Sequence, residues 1–124
     1  MLELKYLDVS NNSSLSYGSS DIYDDDLEPI NKLKNLEVLK IEGLEYISGL
    51  KLGNFPNLKE LNCSCCYNLE DDFLIRVLKS ADKLELIDFA LCTKITNAVI
   101  NVAFKQIKKR KNNIVLEMRS FIPK

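Results

Sequence analysis

The chain of 124 residues contains no histidine. It therefore cannot form a Ser-His or Cys-His nucleophile pair, and no zinc site in it can use an imidazole ligand. It also has no apolar run near the roughly 18 residues of a membrane span, and its start lacks the basic segment and small-residue cleavage site of a secretory signal. We expect a cytoplasmic or nuclear protein whose four cysteines are reduced thiols.

Charge is distributed unevenly along the chain, although its formal net value is only −1. Residues 1–31 carry seven acidic side chains against the single base Lys5, and residues 105–124 carry seven basic side chains against the single acid Glu117. The basic run Lys108–Lys111 has the composition of a nuclear import signal, but it also suits the last turn of a helix, where cations oppose the helix dipole. No aromatic residues interleave with these bases, so we expect no nucleic-acid partner.

Three of the four cysteines lie close together, at Cys63, Cys65 and Cys66. A zinc ribbon needs two C-x₂-C pairs, whereas Cys92 stands alone, so we predict no metal site. The candidates for catalysis would be Asp24–Asp26 as a metal site or Cys65 as a nucleophile. Acidic runs are usually solvated loops, and no base close to Cys65 in the sequence would lower its pKa. We expect no enzymatic activity and no cofactor.

Self-similarity explains the cysteines better. Residues 58–74, LKELNCSCCYNLEDDFL, match residues 84–100, LELIDFALCTKITNAVI, at an offset of 26. The apolar agreement includes Cys66 opposite Cys92. The pattern L-x-x-L-x-L-x-x-(N/C)-x-x-L also begins at Leu36 and at Leu4, and four ordered matches are typical of a leucine-rich repeat.

The pattern predicts an α/β leucine-rich-repeat solenoid, a horseshoe segment with a parallel concave sheet and convex helices. We expect a single domain over residues 1–124, with repeats near 4–35, 36–57, 58–83 and 84–110 and a terminal strand at 113–118. Within each strand alternate residues face inward. Cys63, Cys66 and Cys92 should therefore be buried, and Cys65 should see solvent. In the terminal strand Ile114, Leu116 and Met118 should face inward.

Two helices should follow the turns that contain Cys66 and Cys92. One should bury Leu74, Val77, Leu78 and Ala81, and the other should bury the equivalent stripe Ile100, Ala103, Phe104 and Ile107. Asp71 and Asn97 occupy equivalent predicted N-cap positions. A polar insert, SYGSSDIYDDD, should bulge out before a short helix around Leu27–Leu33. The segment SGLKLGNFPN should be extended or form a single turn.

Cys92 is followed by a hydrophobe, Thr and an amide in CTKITNAVI, and Cys66 is followed similarly in CYNLEDDFL, where Glu70 replaces Thr. These residues resemble the cysteine-containing leucine-rich repeats of F-box/leucine-rich-repeat proteins. The resemblance covers 58–107 closely and 2–50 more loosely, where Leu44 replaces the turn residue. It implies the substrate-holding repeats of a ubiquitin-ligase receptor, whose adaptor contact would require an F-box outside this sequence. We accordingly expect the C-terminal part of a longer protein.

We predict a protein-interaction module, with a stand-alone scaffold or adaptor unconnected to a ligase as the alternative. The outward strand positions should bind a protein partner, and no membrane. Their charges are mostly acidic, with Lys40 the basic exception, so the partner should offer a basic patch. The predicted binding residues are Tyr6, Asp8, Val38, Lys40, Glu42, Glu60, Asn62, Ser64, Leu86, Asp88, Val115 and Glu117.

Overall fold

The computed structural model describes residues 3–11 and 22–120. It shows an α/β arrangement in which five parallel strands form one sheet, in chain order from β1 to β5. The strands are β1 Tyr6–Asp8, β2 Val38–Lys40, β3 Glu60–Asn62, β4 Leu86–Asp88 and β5 Glu117–Arg119. The helices are α1 Asp24–Leu27, which continues into a 3₁₀ turn at Glu28–Lys32, α2 Asp71–Ser80 and α3 Asn97–Lys109. None of the helices in the described ranges is long and apolar enough to cross a membrane.

The strand register confirms the predicted alignment. Tyr6 lies opposite Val38, Val38 opposite Glu60, and Glu60 opposite Leu86, so successive strands are offset by 32, 22 and 26 residues. The fifth strand adds an offset of 31, because Leu86 lies opposite Glu117. The connection between β2 and β3 contains no helix or strand, as expected for the shortest offset.

One face of the sheet packs into the hydrophobic core. Leu39, Leu61 and Ile87, at matching positions of β2, β3 and β4, are fully buried in the same cluster as the apolar side of α2. The predicted α2 stripe is confirmed, since its members are all 3% exposed or less: Leu74, Val77, Leu78 and Ala81. Burying a leucine of this kind contributes about 1.5–3 kcal/mol to folding.

The predicted stripe of α3 is wrong at three of its four positions. Ala103 is buried, together with Val99, but Ile100 is only half-buried. Phe104 is 55% exposed and Ile107 is 36% exposed. The reason is positional: α2 covers one side of α3, and no helix within the described residues covers the other.

The predicted N-caps are each displaced by one residue. Glu70 and Thr96 hold the cap positions, and Asp71 and Asn97 are the first helical residues. Thr96 caps α3 because its hydroxyl accepts a hydrogen bond from the Ala98 N–H at 3.2 Å. The Asp71 carboxylate instead joins the starts of the two helices, accepting from the Thr96 N–H at 2.8 Å and from the Thr96 hydroxyl.

Polar bonds hold the helix-free connection between β2 and β3. The Asp24 carboxylate accepts from the backbone N–H groups of Ser48 at 3.0 Å and Gly49 at 3.1 Å. From the other side, the Arg76 guanidinium of α2 donates to the carbonyl oxygens of Gly49, Leu52 and Gly53. These bonds satisfy backbone groups that a helix would have paired internally.

Two predicted segments need correction or lie out of view. The short helix predicted around Leu27–Leu33 is present, but it begins earlier, at Asp24, and ends as a 3₁₀ turn at Lys32. Residues 12–21, which include most of the predicted polar insert, lie outside the described residues. The terminal strand spans Glu117–Arg119 rather than 113–118, so of its three predicted inward residues only Met118 lies within the strand, opposite Ile87.

Candidate binding face

The sheet presents its other face away from the core. Because side chains alternate along a strand, the residues flanking each inward position point to this second side. They form two rows across the strands, which together we call the open face. The first row is Tyr6, Val38, Glu60, Leu86 and Glu117, and the second row is Asp8, Lys40, Asn62, Asp88 and Arg119.

The open face contains nine of the twelve predicted binding residues, and the structure adds Arg119, which the sequence analysis missed. Placing the terminal strand too early left Arg119 beyond its predicted end. The register signal that could have found it was weak, because the offset from β4 to β5 is 31 rather than 26. Arg119 lies opposite Asp88 and is therefore the second base on a face expected to have Lys40 alone.

The other three predicted residues lie off the two rows. Val115 is 82% exposed but precedes β5. Glu42 follows β2, where its backbone N–H donates to the Ser10 hydroxyl at 2.9 Å. Ser64 is only 7% exposed, because the chain turns after β3 and its hydroxyl donates to Asn62 at 3.0 Å. Ser64 therefore has a structural role in the turn and little surface to offer a partner.

A recurring turn fixes three side chains of the second row. The side chains of Asp8, Asn62 and Asp88 each accept a hydrogen bond from the backbone N–H two residues later, at 2.9, 3.1 and 3.0 Å. Such bonds let Asp and Asn stabilise a turn locally. The bonds from Ser10 also lower the pKa of the Asp8 carboxyl. These polar groups are consequently held in place before any partner arrives, which reduces the entropy lost on binding.

The face as a whole is acidic, with four carboxylates against two cations. At its β5 edge the two charges nearly cancel, because Arg119 Nε lies 2.6 Å from Glu117 Oε2. Lys40 lies among acids at the opposite side, with its Nζ 5.4 Å from the centre of the Tyr6 ring. Its hydrogen bond with Tyr6, and the nearby charges of Asp8 and Glu60, raise the Lys40 pKa. The uncompensated negative charge is therefore strongest around Glu60 and Asp88.

The cysteines offer no reactive centre in this arrangement. All four are free thiols, and Cys63, Cys66 and Cys92 are buried as predicted. The Cys66 thiol donates to the Ile41 carbonyl oxygen at 3.0 Å, and the Cys92 thiol donates to the Cys63 carbonyl oxygen at 2.9 Å. Burial raises the pKa of Cys66 to about 12. These thiols therefore act as small apolar groups that also bond backbone oxygens of the preceding strand connection.

Cys65, the partly exposed thiol, is not activated either. Burial is the main cause that raises its pKa, so the thiol form prevails at neutral pH. Its backbone has φ of 59°, in the left-handed region, which Gly43 and Leu91 share at the corresponding places after β2 and β4. Each of these three residues follows its strand by the same number of positions, so the conformation belongs to the turn and not to Cys65 chemistry.

The other groups considered for chemistry are engaged in structure. Across residues 3–11 and 22–120, no cluster of three or more Cys, Asp or Glu side chains could hold a metal ion. In the basic run, Lys108 and Lys109 belong to the last turn of α3. Arg110 donates to the carbonyl oxygens of Leu84 at 2.8 Å and Ile114 at 3.2 Å. The middle of the run is thus tied to the fold rather than freely extended.

Comparison with known proteins leaves the open face as the main guide. No family model matches the chain, and no curated protein matches it. Any functional conclusion must therefore start from the geometry of the chain itself.

Proposed function

We propose that this chain is a leucine-rich-repeat interaction module that binds a protein segment across the open face. The observation that carries the proposal is an uncovered face on an all-parallel sheet. Parallel sheets are normally covered on both faces, because each crossover places structure over one of them. Here the helices and connections pack on a single side, and within the described residues nothing covers the other. An uncovered face of this kind is a surface on which a partner can complete the second layer.

The residues on that face suit a protein partner better than a small molecule. Tyr6 and Val38 lie opposite each other on β1 and β2, and Leu86 lies opposite Glu60 on β4. Tyr6 is 52% exposed, and Val38 and Leu86 are half-buried, so apolar contact is available between charged groups. Mixed aromatic, aliphatic and charged surfaces are typical of protein interfaces.

The acidic surplus favours a partner segment rich in Lys or Arg. Neighbouring strands are about 4.8 Å apart, so the carboxylates lie within one Debye length and reinforce one another. Charge complementarity of this kind mainly sets association rate and specificity.

Neutralisation of the face tests the proposal. Glu60→Gln with Asp88→Asn removes two charges, and Asn at position 88 keeps the acceptor for the Ala90 N–H, as Asn62 shows at the matching position. The matched control is Asp82→Asn with Glu85→Gln, which removes two exposed charges away from the open face. The probe is a peptide array graded by Lys and Arg content.

We expect basic peptides to bind the parent and the control chain, and to bind the neutralised chain about tenfold more weakly with a smaller salt dependence. Equal binding to all three chains would contradict the proposal. So would peptide retention that is independent of charge.

The resemblance to F-box/leucine-rich-repeat proteins extends the proposal to the substrate-recognition end of a ubiquitin-ligase receptor. The alternative is a scaffold or adaptor with no ligase connection. The complete reading frame upstream of Met1 distinguishes them, since an F-box there supports the receptor and its absence supports the scaffold. Binding of the full-length product to a purified ubiquitin-ligase adaptor would then test the receptor directly.

A further inference from the structure

The outer side of α3 carries an exposed apolar stripe made of Ile100, Phe104 and Ile107, which we call the end stripe. At the offset of 26 residues that relates β4 to β3, these positions correspond to Leu74, Leu78 and Ala81 of α2. The α2 residues are at most 3% exposed because α3 packs over them, whereas Phe104 is 55% exposed. The end stripe thus has the composition of a helix packing surface without a neighbour among the described residues.

Basic side chains border this stripe. Lys108 lies four residues after Phe104, and Lys111 lies four residues after Ile107, so each base projects beside one apolar member. Lys105, Lys108 and Lys111 are all exposed. The surface therefore combines an apolar centre with a positive border, and its complement should be apolar with a negative border.

The opposite end of the sheet has that complementary character. Leu7 and Val9 are half-buried, although their counterparts Leu39 and Ile41 on β2 are fully buried, and Leu4 is 41% exposed. The helix on this side, α1, carries acids: the Asp25 side chain is 85% exposed and Glu28 at the start of the 3₁₀ turn is also exposed. Each end of the sheet thus leaves core positions open, with opposite charge around them.

We propose that the end stripe is covered by a second copy of this chain, stacked head to tail, with its β1 against β5 of the first copy. Both strands are edges of the same parallel sheet within the described residues, so each offers unpaired backbone groups to the other. Parallel pairing would continue the sheet from one copy into the next. This proposal concerns the ends of the sheet and does not rest on the function of the open face.

The spacing supports the helical part of this contact. In the stacked pair, β5 would separate the β4–α3 unit from β1 of the second copy. Two strand spacings amount to about 10 Å. Helices pack at about 8–10 Å, so α1 of the second copy would meet the end stripe at normal helix-packing distance. Its Asp25 and Glu28 would then face Lys105 and Lys108. A contact between different surfaces of two copies does not close on itself, so longer assemblies should form as concentration rises.

A charge-swap experiment tests the proposal. One variant carries Lys105→Glu and Lys108→Glu, and the other carries Asp25→Lys and Glu28→Lys. Each variant alone has two ends of like charge, but a mixture restores complementary ends. A third variant, Phe104→Glu, places a charge in the end stripe, and Leu50→Glu is its control because Leu50 is 73% exposed on the connection between β2 and β3. Far-ultraviolet circular dichroism verifies that each chain is folded.

We expect the mass of the parent chain in sedimentation and light scattering to rise with concentration beyond a dimer, and to fall as salt is added. Each charge variant alone and Phe104→Glu should associate about tenfold more weakly, while the equimolar mixture and Leu50→Glu should associate like the parent. A parent that stays monomeric would overturn the proposal. So would a closed dimer, association that the end variants leave unchanged, or a mixture that associates no better than its components.

Discussion

The β3–α2 and β4–α3 units carry the same apolar pattern at an offset of 26 residues, yet they are buried to very different extents. In α2 the apolar stripe lies in the core, with α3 on one side and the helix-free connection on the other. In α3 the same positions are largely exposed. The comparison teaches that an apolar pattern marks side chains able to be buried, whereas burial itself depends on a neighbouring element at the right distance.

Truncation at one matched pair should produce the largest contrast. Leu78→Ala should lower the free energy of unfolding by about 2–5 kcal/mol, because it leaves a cavity in a core that is almost completely closed. Phe104→Ala, at the corresponding position of α3, should change it by less than about 0.5 kcal/mol at low protein concentration. Urea unfolding of both variants measures the difference. Similar losses in the two variants would mean that α3 is covered after all.

Alkaline unfolding should separate the two units by their turn cysteines. Burial raises the pKa of Cys66 to about 12 in the folded chain, from an ordinary value of 9.0. Between these values the unfolded chain loses a proton that the folded chain keeps, so stability should fall as pH rises from 9 to 12, by about 1.4 kcal/mol per unit. Below pH 9 the effect should vanish.

Unfolding titrations of the parent and of Cys66→Ala test this sign. The variant should show a shallower alkaline decline, and Cys65→Ala, in the same turn but partly exposed, serves as its control. The interpretation fails if Cys66→Ala and the parent lose stability in parallel above pH 9.

Arg76 should contribute a stabilisation that α3 lacks, since the matching residue there is Val102. Its guanidinium bonds the carbonyl oxygens of Gly49, Leu52 and Gly53, so Arg76→Met should cost about 1–3 kcal/mol by leaving partly buried carbonyl groups unpaired. Thermal unfolding, with Lys79→Met on the exposed side of α2 as control, measures the effect. Equal melting of the two variants would show that water replaces these bonds without loss.

The helix starts should give the smallest effect. Thr96→Ala removes the hydroxyl that accepts from the Ala98 N–H, and we expect a loss of about 1 kcal/mol. Glu70→Ala, at the N-cap of α2, should cost less, because the Glu70 side chain makes no cap hydrogen bond. Chemical denaturation compares the two. A larger loss for Glu70→Ala would reverse the assignment of the caps.

Local residue chemistry was sufficient to predict the strands and the three buried cysteines. The pattern of alternating apolar residues marks β2, β3 and β4 because each is followed by a turn with the same left-handed residue, at Gly43, Cys65 and Leu91. It also predicted nine residues of the open face, since period-two alternation assigns side chains to opposite faces of a strand wherever the register is correct. The α2 stripe was predictable for the same reason.

What the sequence determined by itself, then, is the set of residues that can face inward and the offsets of 32, 22 and 26 between the first four strands. Only the tertiary structure decided that Phe104 and Ile107 stay exposed, because the presence of a neighbouring helix is not encoded in the pattern of α3. It also decided that Arg119 joins the open face, since an offset of 31 follows no earlier spacing. Ser64 is lost to the surface because a turn bond to Asn62 draws it inward. Each of these outcomes depends on contacts between distant parts of the chain, which local periodicity does not specify.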